Sequence, residues 1–188
     1  MRKRVEKRYW WLIKLVTQNG FTTGAEIGCA AGATTGRLLR FCPALKLLYA
    51  VDKWEHIPEG SEAGEMGAVY GTSGCENWDP VRGLNRFHKV TDRYKDRLVI
   101  LRGDSAGMAS EVPDESLDFV FIDADHRYAA VLRDLVAWIP KVRPGGMITG
   151  HDIHLPGVLK AVSETLPGYA KAGVDHVWFI QNFKRVKS

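Results

Sequence analysis

The sequence predicts an α/β protein, a doubly wound and mostly parallel sheet with helices on both faces and an antiparallel final strand. Three observations predict it. Short apolar runs of strand length alternate with amphipathic runs of helical period, which asks for a parallel sheet covered on both sides. A small-residue turn, Gly28-Cys29-Ala30-Ala31-Gly32, joins the first such strand to the helix after it. Acidic residues stand at the carboxyl ends of several runs, at Asp52, Asp104, Asp123 and Asp152, which is where open sheets of this kind bind ligands.

The chain's 188 residues fit one domain with a substantial core. Hydrophobic residues make up 45% and charged residues 26%, the balance of a soluble globular protein. No apolar run reaches the roughly eighteen residues of a membrane helix, and no apolar segment of secretory type follows the basic start. The three cysteines, Cys29, Cys42 and Cys75, form no CxxC pair. They are expected as free thiols in a reducing compartment, the cytoplasm. The net charge of +4 gathers at the ends, in Arg2, Lys3, Arg4, Lys7 and Arg8 and in Lys184, Arg185 and Lys187. These runs read as a solvated helix face and a frayed tail, because no nucleic-acid motif accompanies them.

Taken in order, residues 5–18 are expected to be helical, with Val5, Tyr9, Leu12, Ile13 and Val16 on one face and Asn19-Gly20 as the stop. Gly24–Ile27 is the first strand, Thr34–Phe41 the next helix, and Leu47–Val51 the second strand. Residues 53–95 break the rhythm. Glycines punctuate a polar stretch holding Trp54, Tyr70 and Trp78, and helical period returns only over Val81–Tyr94. A connection so long is uncommon in a compact fold, and its place after Asp52 makes it a substrate-binding lid in this reading. Arg97–Arg102 is a strand, Ser110–Pro113 a loop and Leu117–Ile122 an apolar strand. Tyr128–Ile139 is a helix burying Leu132, Leu135 and Val136. Pro140 and Pro144-Gly145-Gly146 make a turn, Met147–Thr149 a strand and Val158–Leu166 a helix. Val177–Gln181 closes the chain as an antiparallel edge strand.

The turn lacks the G-x-G-x-x-G spacing of a dinucleotide site. It reads instead as an acid followed by two glycines, Glu26, Gly28 and Gly32. A carboxylate reaching toward the turn repels a pyrophosphate and suits a cationic or amine-bearing tail. Asp52, at the tip of the second strand, is placed to accept hydrogen bonds from two ribose hydroxyls. Together they call for a cofactor with a ribose, no phosphates and a positive charge. Asp104 either touches an adenine edge or, like Ser105 beside it, caps the next helix.

Two further strand ends carry Asp123-Ala124-Asp125-His126 and His151-Asp152-Ile153-His154. Adjacent parallel strands lie about 4.8 Å apart, so the two loops can meet around one atom. Asp123 and Asp152 suit a hard divalent cation; His151 or His154 joins them if the ion is softer. A general base is the second requirement for transfer to a hydroxyl, and His126 and Asp125 are both candidates, the histidine having the better resting pKa.

The segments GAEIGCAAG, YAVD, LRGDS, LDFVFIDADH, RPGG and ITGHD resemble the class I S-adenosylmethionine-dependent methyltransferases, over roughly residues 22–182. The closest type is the small O-methyltransferase group with the catechol, caffeoyl-CoA and macrolide-sugar enzymes. The resemblance implies a Rossmann-like sheet of order 3-2-1-4-5-7-6, with a sixth strand tiny or missing in so short a C-terminal part. It implies S-adenosylmethionine as cofactor, its methionine part wrapped by Glu26, Gly28 and Gly32 and its ribose held by Asp52. Asp104 and Ser105 come near the adenine, and Asp123 serves both cofactor and metal. Asp123 and Asp152 match magnesium ligands, His126 the position of a lysine base and Asp125 a second-acid base. One departure stands out: Ile153 follows the second metal acid, where the family carries Asn or Asp. The implied substrate is a small molecule, with no nucleic acid and no membrane; a homo-oligomer is open through the N-terminal helix. The rival readings are an RNA methyltransferase and an inactive cofactor-fold protein that binds a partner.

Overall fold

A computed structural model of the chain describes residues 6–55 and 78–181. Residues 56–77 of the lid expected over 53–95 therefore lie outside the described residues, as do Cys75 and, of the charged ends, Arg2, Lys3, Arg4, Lys184, Arg185 and Lys187. Seven strands form one sheet in the order β3-β2-β1-β4-β5-β7-β6. They are β1 (Thr23–Ile27), β2 (Leu47–Asp52), β3 (Leu98–Arg102), β4 (Leu117–Ile122), β5 (Val142–Gly150), β6 (Ala170–Lys171) and β7 (Trp178–Ile180). The first five are mutually parallel, and β7 runs antiparallel to both of its neighbours. The expected sheet order and the small sixth strand are both present. The final strand differs from expectation in one respect: β7 is not the edge, because the two-residue β6 pairs along its outer side.

Six helices cover the described sheet: α1 (Arg8–Gln18), α2 (Ala33–Phe41), α3 (Pro80–Thr91), the single turn α4 (Ser105–Met108), α5 (Tyr128–Trp138) and α6 (Pro156–Thr165). All six residues of β4 are buried, as a central strand covered on both faces must be. Phe119 and Phe121 pack to one side with Leu12, Val16, Leu38 and Leu39 of α1 and α2. Val120 and Ile122 pack to the other with Val131, Leu135, Trp138 and Val162 of α5 and α6.

Three local expectations need correction. Val136 was expected in the buried face of α5 but is 63% exposed; Ala130, Val131, Asp134, Leu135 and Trp138 are the buried set. The helix rotates so that its largest side chain, Trp138, faces the sheet. Pro144-Gly145-Gly146 is not a turn between elements. It is carried within β5, where pairing steps from Leu117↔Val142 to Phe119↔Met147 and the longer strand bulges around a left-handed Gly145. Ser110 and Glu111, the start of the loop expected over Ser110–Pro113, belong to a 3₁₀ turn, Ala109–Glu111.

One buried acid fastens the amino-terminal side of the sheet. Asp118 accepts from the Thr22 and Thr23 amides at 2.6 and 2.9 Å, from the Thr22 hydroxyl at 3.2 Å and from Arg143 Nε at 2.6 Å. Burial alone raises its pKa, but those donors outweigh it and hold the carboxyl below the usual carboxylate range. Its contribution is therefore present above the ordinary pKa and lost as pH falls through the lowered one. Asp118→Asn should cost on the order of 1–3 kcal/mol in denaturant unfolding at neutral pH, and the difference from wild type should shrink steadily in acid. A difference independent of pH would show that the charge is not what stabilises.

Candidate functional site

The pairing Val51↔Ile27, Ile27↔Ile122 and Ile122↔Gly150 aligns the carboxyl ends of β2, β1, β4 and β5. The next residues, Asp52, Gly28, Asp123 and His151, therefore emerge side by side. At β1 the chain turns through left-handed conformations at Gly28 (φ +89°), Ala30 (φ +46°) and Gly32 (φ +74°). A side chain at Gly28 is impossible on two grounds, since its Cβ would also stand 2.2 Å from the Asp123 carbonyl oxygen. Gly32 then caps α2, whose first-turn amides face the same mouth.

Asp52 fastens this turn. Its Oδ2 accepts from the Ala30 amide and its Oδ1 from the Trp54 amide, both at 2.8 Å, while the Trp54 indole donates to the Ala30 carbonyl at 2.8 Å. Trp54 is itself buried among Cys29, Ala50 and Phe87. A carboxylate has about four acceptor positions, and these amides use two. The half-buried Asp52 thus keeps acceptor capacity for a pair of hydroxyls, which fits a ribose. Glu26 lies elsewhere than the sequence suggests. It is 2% exposed beneath the turn, accepting from the Thr35 hydroxyl at 2.5 Å. Burial pushes its pKa up to about 8, so at neutral pH it is largely a neutral carboxyl. Asp104 caps α4 through the Gly107 amide and pairs with Lys53 at 3.1 Å. Burial raises its pKa, but Lys53 and the Gly107 amide together bring it below the usual range. Ser105 turns its hydroxyl inward to the buried Asp134, whose pKa burial raises to about 6.

At the ends of β4 and β5, two acids and two histidines interlock. Asp152 Oδ2 lies 2.9 Å from His126 Nε2 and 3.0 Å from His151 Nδ1; His151 Nδ1 is also 3.4 Å from Asp123 Oδ1. Asp152 adopts a left-handed backbone (φ +57°) and is 8% exposed. Burial disfavours charge on both imidazoles, yet the carboxylates reverse this: the pKa of His126 rises, and that of His151 rises to about 9. Burial also works against the Asp152 carboxylate, but the two histidines hold it far below the usual range. On its other side Asp123 Oδ2 meets Arg8 Nε at 3.0 Å. The Asp123, His126 and Asp152 side chains offer ligand atoms that all lie within 4.8 Å of one another. His151 Nε2, by contrast, is buried with no hydrogen-bond partner among the described residues.

This arrangement fits a cation. Two carboxylates and an imidazole converge, and an arginine already supplies positive charge to Asp123. His154 stands at the margin, 3.8 Å from Asp152, with its ring 3.9 Å from that of His176. Asp125 is outside the cluster: it accepts from the Arg127 amide at 2.8 Å and pairs with that guanidinium at 2.6 Å. Burial would raise its pKa, but Arg127 lowers it overall. Ile153, the residue after Asp152, is 3% exposed within the core.

Sequence reasoning missed Arg8, which it assigned to a solvated basic run, and missed Thr35 and Trp54. Thr35 stands in the first turn of the helix after Glu26, and Trp54 two residues after Asp52, so proximity to a candidate was the available signal. Arg8 had none, since only the packing of α1 brings it to β4. Also missed was a cavity of about 320 Å³ beside the cluster, lined by Ile153, His154, Lys171, Asp175 and His176 among others.

A family model for a methyltransferase domain matches residues 25–153. Among solved structures, the chain resembles the O-methyltransferase NovP (16% identity, TM-score 0.68, 94% of this chain and 78% of that one). It also resembles CalS11, a calicheamicin methyltransferase (17% identity, TM-score 0.66, 92% and 76%). A methyltransferase from Geobacter sulfurreducens is similar too (11% identity, TM-score 0.62, 96% and 81%). No curated protein matches the chain in sequence. Among the described residues no helix is long and apolar enough to cross a membrane.

Glu26 offers a direct check on the electrostatics under the turn. Its folded pKa lies above the ordinary value of 4.5, so folding is least penalised below that value and loses stability as pH rises through about 8. Glu26→Gln should leave stability near pH 4.5 almost unchanged and raise it by a few kcal/mol at pH 8, read by denaturant unfolding across pH. An equal effect at both pH values would contradict a buried neutral acid.

Proposed function

The chain belongs to the methyltransferase-domain family, and on that premise we propose that it moves the methyl group of S-adenosylmethionine to a hydroxyl of a small molecule. The observation that carries the reading is the placement of two unlike acceptor groups on either side of one turn. Asp52, with acceptor capacity left over, lies on one side of Gly28; the Asp123–Asp152 cluster lies on the other. The first suits a ribose and the second suits the oxygen that receives the methyl group.

S-adenosylmethionine supplies an electrophilic methyl on a sulfonium. The chain's own part is chiefly to align nucleophile, methyl and sulfur. The left-handed turn from Gly28 to Gly32 lets the backbone lie along the methionine part, and buried Glu26 holds the turn from beneath through Thr35. Asp52 accepts from the ribose hydroxyls. Asp104 lies at the adenine end; Ser105, turned toward Asp134, acts there only by bracing α4. Asp123 and Asp152 would hold a divalent cation, whose charge orients an acceptor oxygen and lowers its pKa. The acceptor's proton goes to one of the two remaining groups of the FIDADH segment, Asp125 or His126. The O-methyltransferase NovP and the methyltransferase CalS11 share the fold, which supports the reaction class and leaves the acceptor open.

The purified chain should bind S-adenosylmethionine and, with a suitable hydroxyl compound, release S-adenosylhomocysteine detectable by mass spectrometry. Asp52→Ala should weaken cofactor binding about 10- to 100-fold, as expected for loss of charge-assisted hydrogen bonds. Asp152→Asn, which tolerates the left-handed backbone, should lower turnover while leaving cofactor affinity within about threefold. Cofactor affinity unmoved by Asp52→Ala, or no cofactor binding by folded protein, would overturn the assignment.

A further inference from the structure

We propose that the cation site at the strand ends is a mixed imidazole–carboxylate site. In it His126 is a ligand, and the site selects a first-row ion that accepts nitrogen, such as iron(II), cobalt(II), nickel(II) or zinc(II), over magnesium. This rests on the reading that Asp123 and Asp152 hold a cation, and it goes further in naming the third donor and the class of ion.

Three placements carry it. First, the nearest potential donor after Asp152 is absent. Ile153 has no donor atom, and its side chain is buried in the core with Leu155 and Trp178. The loop that ends β5 therefore supplies a single carboxylate. Second, the vacant role falls to nitrogen. His126 Nε2 stands 2.9 Å from Asp152 Oδ2, releases its proton to solvent as an ion binds, and closes a three-residue set with Asp123 whose ligand atoms lie within 4.8 Å. Atoms bound to one ion at about 2.1 Å are separated by about 3 to 4 Å, so the set needs only a small contraction. A second imidazole, His151, already touches both acids through Nδ1. Third, a cavity of about 10 Å³ adjoins the cluster on the side of Asp123, His126 and His151, its lining including Asp125 and the apolar Ile122, Val131 and Trp178 but not Asp152.

Magnesium keeps its waters and prefers oxygen donors in near-ideal octahedral order. Imidazole suits iron, nickel, copper and zinc, and affinity rises from iron through cobalt and nickel to copper and falls again at zinc. Replacing an oxygen donor by His126 therefore turns the preference away from magnesium. Arg8 is the resident counter-charge on Asp123; its side chain is 33% exposed, so it can withdraw toward solvent as an ion enters.

The test is a titration of the full chain with cobalt(II), followed by its visible d–d bands and by paramagnetically shifted imidazole N–H resonances. Magnesium serves as competitor and circular dichroism monitors the fold. Wild type should bind cobalt at least about 100-fold more tightly than magnesium. His126→Gln should lose about 10- to 100-fold in cobalt affinity together with one shifted imidazole resonance, and should change magnesium affinity less than about threefold. The proposal is overturned by absence of cobalt binding, by magnesium displacing cobalt at comparable concentration, or by His126→Gln keeping the wild-type affinity and resonances. Should the glutamine variant not fold, the wild-type resonances decide: no shifted imidazole signal overturns the assignment. S-adenosylmethionine titrated into the same sample separates the two readings, because failure of cofactor binding strikes methyl transfer and leaves the metal result standing.

Discussion

Two carboxylates, Asp123 and Asp152, leave the ends of neighbouring parallel strands one residue apart in register, and each needs positive charge close by. Strand adjacency dictates this: Ile122 pairs with Gly150, so whatever follows them must meet. Unpaired, both acids at a nearly closed strand end would face strong desolvation and mutual repulsion. The chain answers with His126 and His151 against Asp152 and with Arg8 against Asp123. The rest of the mouth follows from that requirement. Arg8 draws the start of α1 across the sheet, where its amide also donates to Asp175 at 3.0 Å in the loop before β7. The cluster thus ties the N-terminal helix, the two central strand ends and the last hairpin into one wall.

The other half of the mouth obeys a different constraint, that of close backbone approach. The turn after β1 is pressed so tightly on β4 that only glycine fits at position 28. Asp52 and Trp54 then clasp it from β2. This half is held by backbone amides closing on the Asp52 carboxylate, with Glu26 buried beneath as a neutral acid. The half at β4 and β5 is held by charge. In the proposed reaction a sulfonium cofactor with a ribose would meet the first and an oxygen nucleophile the second, so the division of the mouth would match the division of the chemistry.

Much of this was legible in the sequence because it depends on period and on strand ends. Alternation of apolar runs gave the strand order's ingredients, and Asp52, Asp123 and Asp152 were recognisable as acids that terminate strands. What period cannot show is which way a helix turns once a large residue dominates, so Trp138 rather than Val136 faces the sheet. Nor can it show that a Pro-Gly-Gly segment is absorbed as a bulge inside β5. At the site, chain-local logic placed Asp125 and His126 together as candidate bases. Packing separates them: Asp125 is turned to Arg127 and His126 to Asp152. Arg8 was illegible altogether, since its partner lies 115 positions along the chain and only tertiary docking unites them.

The most direct test of the account is a crystal structure of the chain with S-adenosylhomocysteine bound. The account predicts both ribose hydroxyls on the Asp52 carboxylate, the amino-acid tail along Gly28–Gly32, and the sulfur directed toward the Asp123–Asp152 side of the turn. A nucleoside bound away from Asp52, or a sulfur facing away from that cluster, would contradict it.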